Sequence, residues 1–107
     1  MATGKVAAVA LSAAANTSVY TVPTGKVFTG KINVCNRNAA VVKVRLAYST
    51  SVAPLAGEWV EYDCPLSPTG STGNVLERNG ECLGAGESVW AYSDTANVDV
   101  VVQGYEE

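Results

Sequence analysis

The chain has 107 residues, enough for one domain with a real core, since a domain of that size buries roughly two thirds of its unfolded surface. Hydrophobic residues make up 48% and charged residues 16%, which excludes intrinsic disorder and hints that some surface is covered by a partner. The net charge is -3, the seven Lys and Arg form no stripe, and no apolar run reaches the ~20 residues of a bilayer span. Direct nucleic-acid binding and membrane insertion are therefore not expected.

The first segment, Lys5 to Leu11, lies in "KVAAVALSAAA". It has the outline of a secretion signal, but its apolar part is mostly Ala and only Lys5 precedes it. It reads instead as a strand followed by a loop, in a protein that is not exported. On that reading the sequon Asn16-Thr17-Ser18 stays bare. Ser18 to Val22 is the next strand.

"PTGKVFTGKI", residues 23 to 32, then falls one residue short of a phosphate-binding loop. Such a loop is G-x-x-x-x-G-K-[ST], entered from a strand and leaving into a helix. Here Ile32 replaces the magnesium-binding hydroxyl, and "KINVCN" alternates as a strand. The expectation is a turn at Pro23-Thr24-Gly25-Lys26 between two strands, binding no nucleotide.

Period-two alternation then dominates. In "KINVCN", Ile32 and Val34 share one face; in "VKVRLAY", Val42, Val44, Leu46 and Tyr48 share one face, opposite Lys43, Arg45 and Ala47. Glu58 to Tyr62, Asn74 to Arg78 and Ser88 to Ser93 come next, and "VDVVVQ" aligns Val98, Val100 and Val102. Ser49 to Gly57 and Asp63 to Gly73 read as long irregular connections. Asn79-Gly80 reads as a two-residue hairpin turn, because both residues tolerate positive φ. About eight short strands predict one antiparallel β-sandwich over residues 1–107, jelly-roll-like or immunoglobulin-like, with almost no helix.

Catalytic constellations are not found. The chain has no His, so Ser-His and Cys-His pairs are excluded. Glu58 and Glu61 are expected on opposite faces of a strand, and Glu61 and Asp63 on one face as solvated charge. Cys35, Cys64 and Cys82 are odd in number and lack a C-x-x-C spacing. They read as buried or half-buried free thiols, with one bridge as the alternative. No cofactor or metal is expected, and the protein is not read as an enzyme.

Aromatic residues are the remaining lead. Trp59, Trp90, Tyr92, Tyr62, Tyr20 and Tyr48 suit a sugar-stacking platform or a protein interface. In "SVWAYS", Val89 and Ala91 face one way and Trp90 and Tyr92 the other, so both faces are apolar and an intersubunit contact is expected. The candidate interface residues are Val6, Val9 and Leu11 in the first strand, with Trp90, Tyr92 and Trp59.

The chain carries, in order, Tyr20-Thr21-Val22-Pro23-x-Gly25-Lys26, Ile32-Asn33-Val34-x-Asn36, Glu61-Tyr62, Val75-Leu76-Glu77-Arg78-x-Gly80, Ala85-Gly86-Glu87 and Gly104-Tyr105-Glu106-Glu107. Taken together, this series resembles small virion structural proteins of tailed bacteriophages. The resemblance covers nearly the whole chain from Tyr20 onward. It implies a β-sandwich carried on the phage particle as a capsid decoration (cement) protein, assembled in the host bacterial cytoplasm. The alternative it implies is a tail, baseplate or fibre module that binds another tail protein or a cell-surface glycan, through the two long connections with Trp59 nearby. It further implies a homo-trimer contacting the major capsid protein, since decoration proteins often sit at local three-fold axes. Within that reading, Met1 to Ala15 is expected to be an N-terminal arm or clamp strand.

Overall fold

In the computed structural model, which describes residues 3–107, each alternating segment is a strand. They are β1 (Thr3–Leu11), β2 (Thr17–Thr21), β3 (Phe28–Asn36), β4 (Val42–Ser49), β5 (Trp59–Leu66), β6 (Val75–Leu83), β7 (Ser88–Ser93) and β8 (Val98–Glu106). One sheet has the order β1-β8-β3-β6 and the other β2-β7-β4-β5, all antiparallel. The pairs β1–β8, β2–β7, β3–β6 and β4–β5 nest like one long hairpin that has been rolled up. Contacts β3–β8 and β4–β7 close the roll. This is the eight-stranded jelly roll rather than the immunoglobulin arrangement.

The core follows from the alternation. Ile32, Val34, Val42, Val44, Leu46, Val89, Val98, Val100 and Val102 are each at most 1% exposed and meet between the sheets. Eight of these nine are β-branched Val or Ile, whose side chains suit a pleated sheet surface. The expected turn at Pro23–Lys26 is present: the Lys26 N–H donates to the Pro23 carbonyl at 3.1 Å, and Gly25 has φ +77°. Gly30 lies inside β3, and Lys31 forms a 3.8 Å ion pair with Glu77 across the β3–β6 ladder.

The structure changes three expectations about local geometry. Asn79-Gly80 is not a hairpin turn. Both residues oppose the single residue Lys31, so they form a bulge inside β6, with Gly80 at φ +70°. Hairpin and bulge both require positive φ, which is why the dipeptide alone does not separate them. β5 also runs past Tyr62 through Asp63, Cys64 and Pro65, so the connection into β6 is only 67–74. Pro65 is tolerated because β5 is an edge strand with one flank unpaired. Finally, the expected arm or clamp strand, Met1 to Ala15, is over Thr3–Leu11 an edge strand of the molecule's own sheet. Thr3–Leu11 pairs with β8 along its length, and Met1 and Ala2 lie outside the described residues.

Every register break places its extra residue on an edge strand: Val6 in β1, Val19 in β2, one of Tyr62 and Asp63 and also Val60 in β5, and one of Asn79 and Gly80 in β6. The central pairs β3–β8 and β4–β7 run unbroken. The two long connections lie at opposite ends of the roll. The connection 67–74 meets 37–41 through Thr69 N–H to Asn38 O (2.8 Å). Residues 50–58 sit at the other end, where Val22 bonds Glu87 and Val27 bonds Glu107.

Candidate functional site

The outer face of the sheet β2-β7-β4-β5 carries a cluster of aromatic side chains around one arginine. Alternation along β7 buries Val89 and Ala91 and turns Trp90 and Tyr92 outward. Across the ladders, Tyr92 pairs with Arg45, and Ala47 pairs with Trp90 on one side and Trp59 on the other. Ala47 is on the outer face yet 0% exposed, so the neighbouring side chains cover it.

Arg45 is the centre of this platform. A bulge in β5, with Asp63 at φ +54°, sets both Tyr62 and Asp63 opposite it. The guanidinium carbon lies 4.1 Å from the Tyr62 ring centroid and 4.5 Å from that of Tyr92. Its Nε donates to Asp63 Oδ1 at 2.7 Å. Trp59 meets Tyr62 edge-on, with centroids 5.4 Å apart and planes at 82°. A planar guanidinium stacked on ring faces and hydrogen-bonded to a carboxylate loses less freedom per contact than a flexible ammonium would.

The bulge also corrects the expectation for Glu61 and Asp63, which do not share a face. Asp63 turns outward to Arg45, while Glu61 accepts a 2.6 Å hydrogen bond from Arg78 Nη1 at the β5–β6 edge of the roll. Arg78 Nε also donates to Glu81 at 3.0 Å. Tyr48 lies close enough to feel both charges, but its hydroxyl meets neither with hydrogen-bond geometry. Burial, then the Glu81 carboxylate, pushes the Tyr48 phenol up. The three cysteines are free thiols: Cys35 and Cys64 half-buried, Cys82 exposed.

The six candidate interface residues fall into two places. Trp59, Trp90 and Tyr92 come together on the platform. Val6 and Val9 are half-buried on β1 of the other sheet, packed against the core. Leu11 is 3% exposed within the core, so it is not available to a partner. Arg45 and Asp63 are not among the residues that the sequence singles out. Alternation places Arg45 on the outer face with Ala47, but the bulge that delivers Asp63 leaves no mark in the sequence.

Hydrogen bonding from Arg45 holds the Asp63 carboxyl below the usual carboxylate range, aided by Lys43. A depressed folded-state pKa gives stability that is complete above the unfolded value of ~3.9 and is lost as pH falls below it. In acid the Arg45–Asp63 pair should therefore loosen. Tryptophan fluorescence titrated from pH 7 to pH 2 is expected to change below about pH 4, and Asp63→Asn should remove that change. An unaltered titration in the variant would show that Asp63 is not its source.

A permanently charged guanidinium and an ionised carboxylate transfer no proton near neutral pH, whereas flat ring faces and a fixed charge pair suit recognition. No family model, curated protein or solved structure matches the chain.

Proposed function

We propose that the protein is a structural component of a tailed-phage virion, a capsid decoration protein that clamps neighbouring shell subunits without catalysis. One observation carries this reading: one sheet face displays both tryptophans, Tyr62 and Tyr92, with Arg45 stacked on the two tyrosines and paired with Asp63. Trp, Tyr and Arg are the side chains that dominate protein-interface energetics, and a pleated sheet presents them with little entropy left to lose. Eight-stranded jelly rolls recur among viral capsid and lectin domains, an analogy of fold only.

Two of the six motifs behind the resemblance meet in space. Tyr20 packs on Phe28 with centroids 5.2 Å apart and its hydroxyl donates to Glu106, while Val27 and Glu107 exchange backbone hydrogen bonds at 3.0 and 2.9 Å. The Tyr-Thr-Val-Pro-x-Gly-Lys and Gly-Tyr-Glu-Glu segments thus lock together at one end of the roll.

A clamp binds a composite site on the closed shell and not its separated subunits, so it stabilises the lattice by linkage, and many copies multiply a modest energy per site. Quantitative analysis of purified particles should find hundreds of copies at a fixed ratio to the shell protein. A few to a few dozen copies would place the protein in the tail instead. Arg45→Ala should lower occupancy on particles about 10- to 100-fold. Unchanged occupancy would take the platform out of the contact.

A further inference from the structure

We infer that β1 pairs with β1 of a second copy across a two-fold axis, joining the two β1-β8-β3-β6 sheets edge to edge. Four edge strands are open, and three are blocked. β2 has five residues with a bulge at their middle. β5 carries two bulges, Pro65, Glu61 and Asp63, and β6 has its bulge at Asn79-Gly80 among Glu77, Arg78 and Glu81. Short length, bulges, proline and charge are the devices by which natural sheets refuse a neighbour.

β1 lacks them beyond Val6. Its bulge there leaves Ala7–Leu11 in regular register, with no charge and no proline. Among the described residues, the outward-turned backbone groups of this stretch have no backbone partner. Outer-face side chains there are small: Ala8 and Ala10 are exposed, beside a shallow groove of about 190 Å³ that runs along Asp99, Val100 and Val101.

The stretch is complementary to itself. Antiparallel pairing centred on Val9 sets Val9 against Val9, Ala8 against Ala10 and Ala7 against Leu11. Val9, left half-buried in one copy, is then covered by its mate. No like charges meet, because Lys5 lies outside the paired stretch. A two-fold is also the operation by which one edge serves both partners. A five-residue edge contact buries less than the roughly 1,200 Å² of a standard interface, so the dimer belongs to the transient class, with dissociation at micromolar concentration or above.

Sedimentation of the full chain over about 10–500 µM should show mass rising from one chain to two. Replacing both outer-face alanines by glutamate (Ala8→Glu with Ala10→Glu) or both by lysine (Ala8→Lys with Ala10→Lys) should leave each protein folded and monomeric throughout. Mixing the two variants should restore the dimer, because each glutamate then faces a lysine. Thermal melts of the separate variants confirm that they fold. A wild type that stays monomeric over the range overturns the inference, as does a trimer, or a dimer that survives the charged substitutions.

Discussion

Gly104→Ala should destabilise the fold by about 4 kcal/mol and lower its melting temperature by roughly 20 °C. Gly104 on β8 pairs with Gly30 on β3. A Cβ on Gly104 would lie 2.2 Å from the Thr29 carbonyl oxygen and 2.6 Å from Gly30 Cα, at φ +153°. One on Gly30 would lie 2.0 Å from the Gln103 carbonyl oxygen and 2.7 Å from Phe28 Cζ. All four distances are inside van der Waals contact, and each glycine meets at least one backbone atom, which cannot swing aside. The two bare residues let the strands close, and Gly30 leaves room for the fully buried Phe28 ring, a use of an aromatic to cover a strand glycine. Gly25→Ala is the control. Its φ is +77° but nothing lies within 4 Å of the new Cβ, so only the backbone term of about 1–2 kcal/mol applies. Thermal melts of the three variants separate the effects. Equal losses at Gly25 and Gly104 would remove the close-packing explanation.

Side-chain period made the strands legible, and the bulges were beyond its reach. Ile32 and Val34, or Val98, Val100 and Val102, declare an inward face because a strand alternates strictly. The pairing of those strands into a jelly roll depends on contacts between distant segments, for which a single sequence carries no comparable signal. Each bulge shifts the alternation by one residue and flips the facing of every residue after it in the strand. So Asp63 turned outward to Arg45 instead of sharing a face with Glu61, and the arginine beside Trp59, Trp90 and Tyr92 gained a carboxylate partner that the spacing hid. β1 was legible as a strand but not as a member of its own sheet, since a small-residue run pairs as readily with a neighbour's edge as with β8. Asn36 gave a signal of another kind. It continues the phase of Ile32 and Val34 and so puts an amide where the core is expected.

That amide yields the second large effect. Asn36 is 0% exposed at the end of β3. Its Nδ2 donates to the carbonyls of Ala40 and Ser67 at 2.9 Å, with a longer contact to Leu66 at 3.3 Å. Its Oδ1 accepts from the Asn38 N–H at 2.8 Å and from Asn38 Nδ2 at 3.1 Å. Asn38 passes the connection on to the Ala96 carbonyl at 2.8 Å, so one buried side chain ties three connecting loops to one end of the roll. Asn36→Ala strands several buried partners at once and should cost about 3 kcal/mol. Asn36→Asp should cost more at pH 7, about 4–5 kcal/mol, because an ionised carboxylate then faces carbonyl oxygens in a dry site. Burial and those carbonyls raise the folded-state pKa above the unfolded value of ~3.9. The extra penalty is then complete above the folded pKa and shrinks as pH falls through it, since the protonated acid can donate one of the lost bonds. Urea melts at pH 7 and pH 5, each referred to the wild type at the same pH, should show the Asp variant recovering toward the Ala variant while the Ala variant keeps its offset. An Asp variant as stable as the wild type at pH 7 would mean that the Asn36 amide donors do not hold the loops.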